Sequence, residues 1–238
     1  MNKNLLVGLS VIVLIVAALG YFFFQQNKDL GDTNEQKKTP HFLDSTPLHD
    51  DVYAAQPINV TINFDFDLVE GSKISVTSTD GTDWANGKVK IEDNKTALKK
   101  DLKQGMPDGD YKVAYTACWP DGSCHDGFFW FKIDSSKKVE YQDLRNTKEV
   151  TVGMKEISFV QEKIIISSGT KVTWVNADTV EHFVNTQTHP EHTYFPPQNS
   201  RSLGEGVTFS TVFEIPGQYD YHCSAHADQM HGSIVVSN

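Results

Sequence analysis

Residues 219–232 read YDYHCSAHADQMHG and place one cysteine, three histidines and one methionine on a single short segment. Strand-like residues flank this segment, so we expect a loop that joins two strands, Tyr219–His222 and Ser233–Val236. Upstream, the run KVTWVNAD (171–178) leads through a turn to His182. We therefore expect His182 to approach the loop from a distant strand and to fix the geometry of a site before a metal ion arrives.

The side chains of this region are donors that suit copper. The thiolate of Cys223, the imidazoles of His182 and His226, and a weak thioether form the trigonal set with a long axial ligand that is typical of blue copper sites. Sulfur suits Cu(I) and imidazole is tolerated by Cu(II), so such a site reorganises little when one electron moves. Met230 offers the thioether, and His231 competes with it as the fourth ligand. Zinc is an alternative ion, although a thioether is a poor zinc ligand.

The same residues also allow interpretations without a metal site. Cys223 could be a buried structural cysteine and His226 a surface residue. His222 precedes Cys223 on a strand, so its side chain points to the opposite face, and we expect a surface or edge histidine. His189 and His192 lie in the Pro-containing loop THPEHTYFPP. We expect them to be solvated loop residues; the alternative is that they flank the metal site or a docking surface.

The C-terminal region, residues 149–238, resembles the cupredoxins, the plastocyanin-like blue copper proteins. The resemblance is carried by GTKVTWVN (169–176) ahead of the first histidine, by FEIPGQYDYHC (213–223) at the entry to the loop, and by the Met-x-Gly exit at Gly232. It implies a Greek-key β-sandwich with one type 1 copper. By the same resemblance, the ligands would be His182, Cys223, His226 and Met230. Phe183 stands where plastocyanin-like members commonly have an asparagine, which affects the hydrogen bonds around the site more than the ligand set.

Short runs of alternating apolar residues recur from His41 onward, bounded by Gly, Asp and Pro; examples are 58–64, 73–77, 111–115 and 128–133. A period of two with turn signals indicates antiparallel strands in a sandwich or barrel, and no long segment carries a helical period. A polar, charge-rich linker at 135–148 separates two domains, 41–134 and 149–238. The expected fold class is therefore all-β, with two β-sandwich domains.

The first domain, residues 41–134, resembles the CopC-type copper-resistance domain, an immunoglobulin-like β-sandwich. The residues that carry the resemblance are the opening HFLDSTP (41–47) and a hairpin whose tip reads CWPDGSCHDG (118–127). In that family Cu(II) is held by an N-terminal histidine, through its amine and its ring, together with an aspartate and a histidine of the hairpin. The resemblance implies a second Cu(II) site, and the matching positions are His41, Asp121 and His125.

Two departures bear on this second site. His41 is not a chain terminus unless processing occurs after Pro40, and the compact Asp-Gly-His of the family is expanded between Asp121 and His125. A sandwich kept as a spacer without metal is the alternative interpretation. His49 could substitute as a ligand, but we expect a solvated loop histidine.

The chain has three cysteines, and two of them flank the hairpin tip. Strand pairing would bring the Cα atoms of Cys118 and Cys124 within the disulfide range of about 4.4–6.8 Å, and an exported domain permits such a bond. We expect this disulfide, which leaves Cys223 reduced for metal. Two free thiols or a thiolate copper site are the alternatives.

The N-terminal segment LLVGLSVIVLIVAALGYFFF (5–24) carries no charge. At about 1.5 Å per residue it would span roughly 30 Å, the thickness of a bilayer core. We expect residues 1–28 to form a single-pass transmembrane helix that anchors the chain, and 29–40 to be a linker, with both domains on the periplasmic or extracellular side. A cleaved signal peptide is the alternative, but the apolar run continues beyond the poor cleavage site at 18–20.

The amino-acid composition and the net charge argue against some classes of function. With 238 residues, 39% of them hydrophobic, the chain suits a folded body of one to three domains. Its formal charge of −10 disfavours binding to nucleic acid. No catalytic triad or phosphate-binding loop is recognisable, so we do not expect an enzyme. We expect a one-electron carrier for a redox partner protein. The alternatives are a copper-trafficking protein that serves a copper-receiving protein, for copper tolerance or oxidase loading, and a structural pair of β-modules.

Overall fold

The computed structural model describes residues 36–238. The expected membrane anchor at 1–28 lies outside the described residues, as does the linker up to residue 35. Within 36–238, no helix combines the length and the apolar composition that a bilayer crossing requires.

The first sandwich packs two four-stranded sheets face to face, with the strand orders β1-β3-β6-β5 and β2-β8-β7-β4. Its strands are β1 (Phe42–Thr46), β2 (Val52–Tyr53), β3 (Asn59–Phe64), β4 (Lys73–Ser78), β5 (Ala85–Ile91), β6 (Ala97–Leu102), β7 (Gly109–Cys118) and β8 (Cys124–Ile133). Burial alternates along β7, because one face of that strand packs on the core. Val60, Ile62, Val113 and Phe131 are among the buried residues of this core.

The second sandwich has a three-stranded sheet, β10-β12-β14, and a five-stranded sheet, β13-β15-β16-β11-β9. Its strands are β9 (Gln142–Asp143), β10 (Glu149–Met154), β11 (Lys163–Ser167), β12 (Thr170–Asn176), β13 (Asn185–Thr186), β14 (Thr208–Phe213), β15 (Gly217–His222) and β16 (His231–Ser237). Short 3-10 helices lie at Ser135–Glu140, Pro196–Gln198 and Ser224–His226. Trp174, Phe213, Tyr219 and Tyr221 are fully buried in its core. Within residues 36–238, the expectation of an all-β fold with two β-sandwich domains is confirmed.

The sequence predicted antiparallel strands, whereas four strand pairs in the structure are parallel. The pairs β2/β8, β9/β11, β10/β12 and β11/β16 are parallel. From β9 to β15, successive strands of the second domain alternate between its two sheets. A strand and its neighbour in the same sheet are then not joined by a hairpin and can run in the same direction. The expected linker at 135–148 contains the first 3-10 helix and β9, which adds to the edge of the five-stranded sheet.

Strand β3 is buried on both faces, because the second domain covers the face that points away from the first core. Asn59 donates to the backbone oxygen of Tyr194 (3.2 Å). Asn63 donates to the hydroxyl of Thr188 (3.0 Å) and accepts a hydrogen bond from the hydroxyl of Thr193 (2.8 Å). The loop 187–195 of the second domain is therefore held against the first domain.

The Tyr194 side chain continues this interface. Its buried hydroxyl accepts from the backbone N–H of Ile58 (2.8 Å) and donates to the backbone oxygen of Gln218 (2.9 Å). The side-chain oxygen of Gln218 accepts from the backbone N–H of Ala54 (2.7 Å). These bonds satisfy buried polar groups from both sandwiches at once, as burial requires.

Gly232 lies directly opposite Tyr221 in the pairing of β15 with β16. A Cβ atom at Gly232 would overlap the tyrosine ring, so only glycine leaves room for it. The ring then lies across β16 and packs against Trp174 and Phe159. This contact fixes the two strands between which the 223–230 loop is held.

Candidate metal centre

The loop after β15 folds back on itself through its own backbone. The N–H of Cys223 donates to the carbonyl of Met230 (3.0 Å), and the N–H of Met230 donates to the carbonyl of His226 (3.0 Å). The N–H of His226 in turn donates to the carbonyl of Cys223 (2.9 Å). These backbone bonds hold the three residues close together.

His182 reaches the same place from the segment that joins β12 to β13. Its backbone N–H and C=O bond to Leu203 (3.1 and 2.9 Å) in an isolated bridge. The His182 side chain is fully buried. The bridge thus positions an imidazole that comes from about forty residues before the loop in sequence.

The sulfur of Cys223 lies 3.6 Å from Nδ1 of His182 and 3.5 Å from Nδ1 of His226. The two imidazole rings are 5.1 Å apart between centroids. All three donor atoms lie within 4.8 Å of one another. An ion at the centre of such a triangle would lie roughly 2.0–2.4 Å from each atom, which matches the lengths of metal–nitrogen and metal–sulfur bonds. The donor set therefore fits one thiophilic metal ion.

The Asp178 carboxylate holds the far side of the His182 ring. Its Oδ2 lies 2.8 Å from Nε2 of His182, so Nδ1 is the nitrogen left to face the sulfur. The backbone N–H of Glu156, the His182 ring and the backbone N–H of Ile157 all bond to this carboxylate and lower the pKa of Asp178 to about 2. Asp178 is therefore ionised at neutral pH and orients the ring.

Phe183 takes part in the site through its backbone. Its N–H lies 3.3 Å from the sulfur of Cys223 and donates toward it. The side-chain link between this segment and the loop comes two residues later, where Asn185 accepts a hydrogen bond from the hydroxyl of Ser224 (2.8 Å). The departure at Phe183 thus leaves both the bond to sulfur and a bond to the loop in place.

Burial separates the two candidates for the fourth ligand. Met230 is 1% exposed and belongs to the same buried cluster as Cys223. His231 is exposed and lies opposite His222 in the pairing of β15 with β16. The structure thus places Met230, and not His231, in the buried core cluster that contains Cys223. His226 is partly exposed, so the site reaches the surface at this ring.

The three candidate ligands of the first domain do not converge in the same way. The rings of His41 and His125 each lie 5.4 Å from the ring of Trp119. His41 pairs instead with Asp65 (2.8 Å), and the Asp121 carboxylate accepts from the backbone and hydroxyl of Ser123. Two groups within residues 36–238 bring three donor atoms within 4.8 Å, and these three residues form neither. A Cu(II) site here stays a prediction.

The predicted disulfide between Cys118 and Cys124 is confirmed. The two residues face each other directly in the pairing of β7 with β8, so the bond closes the base of the hairpin tip. Cys223 is the free cysteine of residues 36–238 and is fully buried.

A second cluster of donors, which sequence reasoning missed, consists of His189, His192 and His222. His222 is 1% exposed, so the prediction of a surface or edge histidine is wrong: the 187–195 loop covers it. His189 is exposed, as expected, whereas His192 is partly buried. Burial lowers the pKa of both His192 and His222 to about 4, so these two rings are neutral at pH 7. The sequence does show His189 and His192 three residues apart, which is a spacing that can suit a metal ion. No short-range sequence pattern, however, indicates that this pair lies next to His222.

Comparison with known protein families identifies both halves of the chain. Residues 42–134 match the CopC domain. Residues 146–237 match the copper binding proteins of the plastocyanin/azurin family. Copper is therefore the metal that this chain binds.

Individual relatives match one half each. Amicyanin-alpha from Methylorubrum extorquens is 31% identical over 100 residues, which cover 39% of this chain and 80% of that protein. Among solved structures, CopC from Methylosinus trichosporium OB3b is 24% identical, with 40% of this chain and 94% of that chain covered and a TM-score of 0.37. A Cu(I) amicyanin variant is 21% identical, with 38% and 84% covered and a TM-score of 0.33.

Proposed function

Because this chain belongs to the plastocyanin/azurin family of copper-binding proteins and carries a CopC domain ahead of its plastocyanin-like domain, we propose that it is a one-electron carrier with one type 1 copper. The observation that carries the proposal is the convergence of the Cys223 sulfur with Nδ1 of His182 and Nδ1 of His226. With Met230 as the axial thioether, these residues make the donor set of a blue copper site.

The protein would contribute to electron transfer by holding the copper ligands in a fixed geometry. Copper would supply the one-electron couple between Cu(II) and Cu(I). Asp178 holds the His182 ring, and the backbone N–H of Phe183 donates toward the Cys223 sulfur. Both contacts hold ligand atoms in place from outside the site, so little needs to move when the charge of the site changes. The partly exposed ring of His226 gives a redox partner protein an approach to the site.

We also propose that the carrier works outside the cytoplasm, tethered to the cell membrane as a single-pass protein through residues 1–28. The apolar run at 5–24 supports the tether. The disulfide between Cys118 and Cys124 supports an oxidising compartment, because such bonds are rare where thiols are kept reduced. Fractionation of membranes, followed by protease treatment of intact cells, tests both parts.

Copper loading of the protein and visible spectroscopy test the site. We expect an intense blue band from thiolate-to-copper charge transfer and reversible reduction without loss of copper. Cys223→Ser should abolish the band while the fold is retained. His231→Ala is the matched control, because that exposed histidine lies beside the loop and outside the buried cluster. A band that survives Cys223→Ser would overturn the proposal.

Copper trafficking is the second candidate, favoured by the match of residues 42–134 to the CopC domain. A trafficking protein gives up its metal, whereas a carrier keeps it in both oxidation states. If reduction in the presence of a Cu(I) chelator strips the plastocyanin-like site at once, trafficking to a copper-receiving protein is the better description. Retention of copper through repeated cycles supports electron transfer.

A further inference from the structure

The second histidine cluster joins three ring nitrogens that point at one another. Nε2 of His222 lies 3.2 Å from Nε2 of His192 and 3.3 Å from Nδ1 of His189. The ring centroids are 5.1–5.4 Å apart. A single proton on Nε2 of His222 cannot serve both contacts at once, so in the absence of a cation one of these two short nitrogen–nitrogen contacts has no hydrogen bond. One cation between the three nitrogens would satisfy all of them.

The dimensions of the cluster suit a transition-metal ion. The three donor atoms lie within 4.8 Å of one another, which leaves an ion roughly 2 Å from each nitrogen, the usual metal–nitrogen length. Three imidazoles without sulfur suit divalent copper, zinc or nickel, and copper ranks first among the divalent ions of this series. We propose that His189, His192 and His222 form a second metal site, distinct from the cysteine-containing site, that binds Cu²⁺ in preference to Zn²⁺.

The second domain supplies all three ligands of this site, and the first domain helps to position two of them. His222 lies at the end of β15, whereas His189 and His192 lie on the 187–195 loop. That loop is held by Asn63 of the first domain through Thr188 and Thr193. The first domain therefore fixes two of the three ligands although it contributes none itself. This gives the association of the two sandwiches a role in metal binding.

The histidine site lies next to the cysteine-containing site. His222 and Cys223 are consecutive residues, so a single peptide bond links a ligand of the proposed ion to a ligand of the copper ion. Ser224 extends the link, because its hydroxyl lies 3.2 Å from Nε2 of His192 and also bonds to Asn185. His189 is exposed, so an ion can enter from solvent and a water molecule can complete its coordination. An ion here should therefore exchange more readily than one bound to buried Cys223.

Copper stoichiometry on the full chain tests the proposal. The apoprotein is saturated with Cu²⁺, freed of loosely bound ion, and analysed for copper per chain and by electron paramagnetic resonance. We expect two ions in the wild type, one with the narrow hyperfine splitting of a thiolate site and one with the wide splitting of a nitrogen-ligated site. His189→Ala and His192→Ala should each lose the second signal and retain the blue band. His189→Ala changes an exposed side chain, so loss of folding does not obscure its result.

Two controls make the outcome decisive. His231→Ala removes a nearby histidine outside the cluster and should keep both signals. A His41→Ala, His125→Ala double variant removes the ligands predicted for the first domain. If the double variant loses the nitrogen-ligated signal while His189→Ala keeps it, the proposal is wrong. It is also wrong if the wild type binds one copper only. In Cys223→Ser, Cu²⁺ should displace Zn²⁺ from the remaining site; tighter binding of Zn²⁺ would overturn the stated preference.

Discussion

Oδ2 of Asp178 lies 2.8 Å from Nε2 of His182, and this contact decides which nitrogen of the ring faces Cys223. The carboxylate is itself fixed by the backbone N–H groups of Glu156 and Ile157 (2.8 and 3.1 Å). A fixed carboxylate keeps the Nε2 proton in place and leaves the lone pair of Nδ1 directed at the site. The orientation of the buried imidazole thus depends on a residue that is not itself expected to bind metal.

Asp178→Ala should weaken copper binding by about 10- to 100-fold, the usual effect of losing the hydrogen-bond partner of a metal-bound histidine. The measurement is competition with a chelator of known affinity. Asp178→Asn retains an acceptor and should lose less. Glu181→Ala is the matched control, because it removes an exposed carboxylate next to His182. Equal losses in Asp178→Ala and Glu181→Ala would show a general charge effect instead of an oriented ring.

Met230→Gln should lower the reduction potential of the copper. A thioether favours Cu(I), whereas an amide oxygen is a harder donor that favours Cu(II), and the axial ligand tunes the potential of such sites. Voltammetry of the loaded protein measures the shift. His231→Gln should leave the potential nearly unchanged, because His231 is exposed and outside the buried cluster. The reverse pattern would make His231 the fourth ligand.

Asn63→Leu should destabilise the contact between the two domains. Its amide donates to Asp44 (2.6 Å) and to Thr188 (3.0 Å), and its oxygen accepts from Thr193 (2.8 Å). Loss of these hydrogen bonds to one buried and two partly buried partners should lower the free energy of unfolding by about 1–3 kcal/mol. Urea unfolding measures the change, and Asn86→Leu on exposed β5 is the control. A loss no larger than in the control would mean that the interface contributes little.

The residues around Cys223 were predictable because their chemistry is local. A cysteine, a histidine and a methionine on one loop restrict the metal, and alternating strands on both sides restrict the fold. Long-range burial was not predictable. Asn59 and Asn63 alternate with apolar residues in β3, a pattern that indicates a solvent-facing side, yet the second domain covers them. His222 was misjudged for the same reason, because the loop that buries it begins more than thirty residues earlier in sequence.

Asp220 should make the protein less stable as pH rises from about 4. Burial raises the pKa of this carboxyl, and nearby Asp51 raises it further, against the hydrogen bonds from Ser233 and Gln218. The folded state therefore holds the proton to higher pH than the unfolded state does. The stabilisation is fully present below the unfolded pKa of about 3.9 and is lost as pH rises through the folded pKa.

Asp220→Asn removes the ionisation and keeps an oxygen that accepts from Ser233. The variant should match the wild type in free energy of unfolding near pH 3 and exceed it at pH 7, as measured by urea unfolding at both pH values. Asp93→Asn, at an exposed position, should show no such growing difference. If the wild type were instead the more stable protein at pH 7, the hydrogen bonds to the ionised carboxylate would outweigh its burial. The Asp220 carboxylate would then stabilise the pairing of β15 with β16 in its charged form.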